Sequence, residues 1–290
     1  MPRPQHTQTF LLLLPWIITF CVFWLYPFVY AAILSISKVN TLANVMQPVG
    51  LANYEAVFSD ALFWQSLKNT AIFTFGTVPV TTALALALAV MLRSQKVKFP
   101  SFFRAAFFTP SVTSLVVISL IFINLYARDG YVNQLFRFCG LPESARGFLL
   151  EPSTALAAIM GMDVWISAGY YMVLFLAGLE AIPRDLYEAA ALSGANGRQQ
   201  FRRITLPLLR PTLAFVVVIN TIKSFQIFVE IYVMTKGGPL NSTSSLVYMI
   251  FTSALDNTDS MGYAAALSFV VMAILITFSV VQLRILRSNY

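Results

Sequence analysis

"EAAALSGANGRQQFRRITLPLLRP", residues Glu188 to Pro211, sets small alanines and several arginines between two long apolar segments. Its residue order reads as two short helices joined by an elbow. Pro183 suits a first helical turn, Asp185 favours the positive end of the helix dipole, and Gly194 is placed to end the helix in a left-handed conformation. "PRDLYEAAALSG" is therefore one helix. Asn196 can cap the next, in which Phe201 and Ile204 share a face while Arg198, Arg202 and Arg203 point elsewhere, until Pro207 interrupts it. Ala189, Ala190 and Ala191 leave a smooth face that another surface can approach closely, which makes the stretch a docking element. Two other readings stand beside this one. The stretch could be an amphipathic interfacial helix, its arginines on lipid phosphates and Phe201 in the headgroup zone. It could also be a helix-turn-helix DNA reader, although tethers at both ends would hold such a reader against the membrane.

The surroundings decide what kind of chain carries it. Of the 290 residues 58% are hydrophobic and 11% charged, and the apolar residues come in long blocks rather than periodic stripes, which makes this a membrane protein. The net charge of +7 resides in the gaps between apolar blocks, where it sets orientation rather than binding nucleic acid. Cys21 and Cys139 make neither a disulfide framework nor a metal site. The N-terminal "MPRPQHTQTF" leads into an apolar stretch longer than a signal-peptide core, so the first span is read as retained.

A bilayer core needs roughly 20 apolar residues of helix, and six segments qualify, at about residues 9–36, 69–92, 105–126, 154–179, 212–234 and 262–283. Pro27, Pro79 and Pro110 interrupt the first three and imply a kinked bundle. One side collects Arg3, Arg93, Lys96, Lys98, Arg104, Arg184, Arg198, Arg202, Arg203, Arg210, Arg284 and Arg287. The other holds only Lys38, Lys68, Arg128, Arg137, Arg146 and Lys236, together with Glu55, Asp60, Asp129, Glu143, Glu151, Asp256 and Asp259. By the positive-inside rule both termini are cytoplasmic, and so is the loop at about residues 180–210. The expectation is an all-α, polytopic fold of six transmembrane helices with a cytoplasmic insert. With no internal repeat or long linker, residues 1–290 are read as a single transmembrane domain.

The quoted stretch resembles the EAA loop of the permease subunits of bacterial ABC importers, in which Glu-Ala-Ala is followed by a Gly and then by Ile-x-Leu-Pro. Glu188, Ala189, Ala190, Gly194, Ile204, Leu206 and Pro207 match that pattern, whereas Ser193 stands where these subunits commonly carry Asp. "FLAGLEAIPRDLYEAA" before it and "SFQIFVEIYVMTKGGPLNSTSSLVYMIF" after it are similar to the carbohydrate-uptake branch, in particular to first permeases of the maltose and glycerol-phosphate type. The resemblance implies that the loop is a coupling helix seated in a cleft of a cytoplasmic ATPase subunit, with Glu188, Ala189, Ala190, Ala191, Gly194, Phe201, Ile204, Leu206 and Pro207 as coupling residues. It implies as partners a second, homologous permease subunit, two ATPase subunits that bind ATP and Mg, and an extracytoplasmic solute-binding protein. The setting it implies is a bacterial inner membrane and its lipid.

The chain has no phosphate loop of the form G-x-x-x-x-G-K-[ST], so the motor is expected to be another polypeptide and no cofactor is expected in this one. The only histidine is His6, and no Cys/His or paired-aspartate pattern suggests a metal or a catalytic centre. Polar side chains inside spans are the remaining candidates, because their burial in lipid is costly. In span five Asn220, Lys223, Gln226 and Glu230 fall within about a third of the circumference at about 100° per residue, forming one stripe. In span four Asp163, Ser167 and Tyr170 share a face, with Trp165 and Tyr171 adding aromatic surface at its flanks. Hydroxyl-rich solutes suit such a lining. The alternative is that Lys223 and Glu230 form a structural pair. The expected function is import of a sugar or related carbohydrate. The rivals are another polar solute such as a glycerophosphodiester, or ion-coupled transport with Asp163 and Glu230 as carriers. "TKGGPLNSTSS" should turn outside, where it could meet the binding protein.

Overall fold

The computed structural model describes residues 5–40, 45–93, 97–255 and 260–286. Arg3, Lys96, Asp256, Asp259 and Arg287, which entered the orientation count, lie outside the described residues. Helices dominate: α1 (Gln5–Phe20), α2 (Tyr26–Ser35), α3 (Ala52–Ser59), α4 (Ala61–Arg93), α5 (Pro100–Val112), α6 (Leu115–Leu125), α7 (Tyr131–Phe138) and α8 (Ala155–Glu180). They are followed by α9 (Asp185–Leu192), α10 (Gly197–Gln200), α11 (Leu206–Leu208), α12 (Arg210–Phe225), α13 (Val229–Met234), α14 (Leu246–Leu255) and α15 (Met261–Leu286). Among the described residues five helical stretches are long and apolar enough to cross a membrane, namely Leu12–Ser35, Ala61–Arg93, Ala155–Glu180, Arg210–Met234 and Met261–Ile285. Counted as one span, the bent pair α5 and α6 makes a sixth.

Three features depart from the expected bundle. A two-stranded antiparallel hairpin, β1 (Ser37–Asn40) and β2 (Val45–Pro48), follows the first span, pairing Ser37 with Pro48 and Val39 with Met46. Span three is not a single rod: α5 and α6 meet at 94°. Pro110 lies three residues before the break, where Thr113 is extended and its N–H bonds Pro110 O, so that the Thr109 carbonyl is freed and accepts from the Thr113 hydroxyl, while the Ser111 hydroxyl donates to Phe108 O. Pro27 and Pro207, in contrast, break nothing. Each is preceded by a π turn, Cys21–Leu25 and Phe201–Thr205, in which the i to i−5 bonds Tyr26 N–H to Cys21 O and Leu206 N–H to Phe201 O absorb the irregularity.

The chain forms two compact units. One comprises residues up to Phe63 with Met249–Ala273, the other Trp64–Tyr248 with the residues from Ile274 onward. In the first, Asn53 Nδ2 donates to the carbonyls of Ser35 and Ser37 at 2.9 and 3.0 Å, and Tyr263 donates to Asp60 at 2.8 Å. Gly262 is required there, because a Cβ would meet Ser37 O and Asn53 Nδ2.

The second unit is built around α8, whose Ile159, Met162, Met172, Phe175 and Leu179 are almost wholly buried. α5 crosses α8 at Gly169, where a Cβ would strike the Phe107 carbonyl, so backbone touches backbone. α4 turns its small polar residues inward: Ser66, Thr70, Thr74, Thr77 and Thr81 are buried, while Ile72, Phe75 and Val80 are exposed. That inversion is the pattern of a helix whose outer face meets lipid. A polar cap precedes α8. Asn133 bonds the Arg128 and Ser144 carbonyls, and Arg137 grips Glu143 at 2.7 and 2.8 Å, which holds the Glu143 carboxyl below the usual range.

Candidate functional site

Two constellations carry the polar chemistry of the second unit. The first is the elbow. Gly194 has φ of +80°, and the N–H groups of Gly194 and Ala195 bond to Ala191 O and Ala190 O, both at 2.9 Å. This is the six-to-one and five-to-two pairing of a Schellman cap, which only glycine accommodates without strain. Asn196 then opens α10 with a reciprocal capping box: its Oδ1 accepts from Gln199 N–H at 3.0 Å, and Gln199 Oε1 accepts from Asn196 N–H at 2.9 Å. Ala189 and Ala191 are exposed beside Glu188, and Ala190 is half-buried. Arg198, Arg202 and Arg203 are exposed, while Phe201, Ile204, Leu206 and Pro207 are half-buried, with Ile204 packed toward the core of α4, α8 and α12. Pro207 was expected to end the second helix. The π turn instead carries the chain through it into α12.

What fixes this elbow is not marked by adjacent residues. Tyr187, on α9, accepts from Arg93 at 3.2 Å through its hydroxyl, which lies 2.9 Å from the Thr205 hydroxyl. The Arg93 guanidinium is 4.9 Å from the Tyr187 ring centre. A cavity of about 540 Å³ lies behind the elbow, lined by Val90, Arg93, Leu179, Arg184, Tyr187, Glu188 and Phe201 among others. No local signal marks Tyr187, because its partners are 94 and 18 residues away.

The second constellation lies within the spans. Span five unwinds after Phe225, so Gln226, Ile227 and Phe228 are not helical and α13 starts a new helix. The single stripe expected from helical periodicity is therefore broken between Lys223 and Glu230. The Ile227 carbonyl freed by the break accepts from Ser245 at 2.8 Å. A cavity of about 360 Å³ opens there, lined by Leu115, Ile219, Ile222, Lys223, Gln226, Ile227, Phe228, Val229 and Glu230. Since Leu115 is the first residue of α6, the breaks in spans three and five meet at one place, and α6 packs on α13 beyond it.

Lys223 and Glu230 do not form the structural pair considered from sequence. Lys223 Nζ donates to Asp163 Oδ1 at 2.8 Å and to Ser167, and Ser167 donates to the same carboxylate at 3.2 Å. Asp163 is buried, its Oδ2 without a partner, whereas the Lys223 side chain is 42% exposed. Glu230 is buried at the start of α13. Asn220 is fully buried, and neither atom of its amide has a partner. Gln226, Trp165 and Tyr170 are exposed. Tyr171, expected to flank the polar face of span four, is instead buried in the core, its ring 5.2 Å from that of Tyr170. A packed helix core, rather than the polar face, claims it because α8 is covered on most sides.

Comparison with known proteins agrees with this architecture. Residues 81–287 match the model of the family described as "Binding-protein-dependent transport system inner membrane component". The lactose transport system permease protein LacF of Rhizobium radiobacter is 34% identical over 284 residues, covering 97% of this chain and 95% of that protein. The sn-glycerol-3-phosphate transport system permease protein UgpA of Agrobacterium fabrum is 32% identical over 288 residues, covering 99% and 97%. A crystal structure of a bacterial ABC transporter that imports the acidic polysaccharide alginate superposes with a TM-score of 0.83 at 21% identity, covering 98% of this chain and 96% of that one, which speaks to the fold. A family model spanning most of the chain, with relatives a third identical along nearly all of it, establishes that the chain belongs to the inner-membrane permease components of binding-protein-dependent ABC transport systems.

Proposed function

We propose that this permease subunit imports a sugar or a related polar carbohydrate, passing it along the cavity at the broken spans while the elbow takes up motion from an ATPase subunit. The whole chain acts as one transmembrane domain with both termini in the cytoplasm of a bacterium. It works beside a second, homologous permease, two ATPase subunits that hold ATP and Mg, and an extracytoplasmic solute-binding protein. It carries no cofactor and catalyses no reaction itself.

The observation that carries the reading is the convergence of Lys223, Gln226 and Glu230 on one cavity at the point where two spans are broken. Such a place offers hydrogen-bonding groups and unwound backbone at membrane depth, which lipid-facing helices cannot. The similarity to a lactose permease supports a sugar, and that to a glycerol-3-phosphate permease keeps a phosphorylated polyol as the alternative. An ion-coupled carrier with Asp163 and Glu230 as its proton or sodium sites is a poorer fit, because one of the two, Asp163, is already held by Lys223. Proteoliposomes containing the chain with its partner subunits decide between the ATP-driven importer and the ion-coupled carrier. Uptake should require internal ATP and the loaded binding protein. Uptake that proceeds without ATP and follows an imposed ion gradient would overturn the proposal.

A further inference from the structure

We infer that α4 is the rod that carries motion of the elbow to the far rim of the cavity, with Tyr187 as the positioning residue that fastens the elbow to it. The inference rests on the coupling role proposed for the elbow. The two spans that flank the elbow in sequence, α8 and α12, are its evident connections; α4 is joined to it only in space.

At one end of α4, Arg93 is the last residue, and its guanidinium meets both the ring and the hydroxyl of Tyr187. The same hydroxyl reaches buried Thr205 in the π turn, so one side chain ties α4 to both arms of the elbow. At the other end Asn69, also buried, donates to Asn241 O at 2.9 Å and to Ser244 O at 3.0 Å. Ser66 lies 3.0 Å from the Ser244 hydroxyl, and Thr70 accepts from Leu246 N–H. The two fastenings are 24 residues apart on an unbroken helix, about 36 Å. The segment held at the far end leads directly into the cavity: Ser245 satisfies the carbonyl of Ile227 at the break, and Glu230 lies in the first turn of α13. That segment is also stiff, with positive φ at Lys236, Gly237, Leu240 and Asn241 and the Thr243 hydroxyl on Gly238 O at 2.7 Å. A displacement at Tyr187 therefore reaches the wall of the cavity through α4 itself and through hydrogen bonds that are part-buried at the elbow and mostly buried at the far end.

The test uses the assembled transporter in proteoliposomes, with exposed Cys21 and Cys139 replaced by serine and a reporter cysteine at Leu240, which is 88% exposed. With Tyr187 intact, the rate at which an impermeant maleimide labels the reporter should change when ATP and vanadate trap the ATPase subunits. Tyr187→Phe keeps the ring and removes only the hydroxyl. It should assemble and hydrolyse ATP, consume on the order of fivefold more ATP per solute transported, the factor one lost hydrogen bond supplies, and lose the reporter's response. Thr205→Val, which leaves Tyr187 and Arg93 in place, should do the same to a lesser degree and serves if Tyr187→Phe does not assemble. An unchanged ratio of ATP to solute together with an unchanged reporter response in these variants overturns the inference. Gly194→Val separates the two levels: if it uncouples the transporter and the hydroxyl variants do not, only the rod is wrong, whereas if it too transports normally the coupling role of the elbow is wrong.

Discussion

Removing either partner of the ion pair inside the membrane should have unequal consequences, and the structure fixes which is worse. The Asp163 side chain is 3% exposed and that of Lys223 42% exposed, with 2.8 Å between Oδ1 and Nζ. Lys223→Ala leaves a carboxylate that cannot reach water, whose Oδ2 already lacks a partner and whose Oδ1 keeps only the Ser167 hydroxyl. An uncompensated charge of this kind costs about 3–5 kcal/mol. Asp163→Asn preserves the shape, and the ammonium it abandons keeps Ser167 and already faces the cavity. Its cost should be near that of one ordinary hydrogen bond, about 1 kcal/mol. For a chain of this size 1 kcal/mol corresponds to roughly 2–4 °C.

The measurement is thermal unfolding of the purified protein in detergent, read as the temperature at which half the monodisperse species is lost. Lys223→Ala should fall by roughly 6–20 °C and Asp163→Asn by roughly 2–4 °C. Lys223→Ala combined with Asp163→Asn should recover most of the loss, because no charge is then stranded, giving a favourable coupling of about 2 kcal/mol or more between the sites. Equal losses in the two single variants, or a double variant no better than Lys223→Ala, would refute the reasoning and show that the pair does not carry the buried charge assigned to it.

Two further substitutions probe the backbone. At Gly194 a new Cβ meets nothing within 4 Å, so Gly194→Val pays only for the left-handed φ of +80°, about 1–2 kcal/mol, and its damage should be confined to the elbow. It should insert and fold, yet leave ATP hydrolysis without response to the loaded binding protein; normal transport by Gly194→Val combined with Ala190→Glu would return the stretch to an interfacial helix. At Gly169 the opposite holds: a Cβ lands on the Phe107 carbonyl with Phe108 Cα at 3.1 Å, so Gly169→Ala must force α5 off α8 at a cost of about 3 kcal/mol. The yield of folded protein should drop sharply, while Gly197→Ala, in open space, should leave it unchanged.

What the sequence makes legible here is whatever short-range chemistry specifies. Apolar length marks the spans, and the Gly194 cap and the Asn196 capping box are written in adjacent residues, so the elbow could be drawn before any coordinates. The break in span five could not. "FQIFVEIYVM" contains neither glycine nor proline, and its unwinding is stabilised by Ser245, 18 residues from the carbonyl it satisfies. The same holds for Asp163 and Lys223, 60 residues apart, whose pairing stands in place of the alternative link between Lys223 and Glu230. Proline misled in both directions. Pro110 pointed to a kink but not to the 94° bend three residues later, and Pro207 pointed to an interruption that a π turn removes.

That π turn bears on how the two constellations communicate. Because the chain passes through Pro207 and a single turn at Leu209 into α12, the elbow and Lys223 belong to nearly one helical path, with 13 residues or about 20 Å between Arg210 and Lys223. Asp163 lies on α8, the helix that enters the elbow from the other side. The ion pair thus ties together the two helices between which the elbow is strung, and it does so at the cavity. If the elbow is driven by a partner, any rotation of α12 against α8 must move Lys223 relative to a carboxylate that is itself fixed in the core. The half-exposed lysine can follow such a motion by extending into the cavity, whereas buried Asp163 cannot, so the lysine is the member of the pair free to change partners between states. A hydroxyl-rich solute at Gln226 and Glu230 would then meet an ammonium group whose reach depends on the state of the elbow, which links access to the cavity with the motion that drives it.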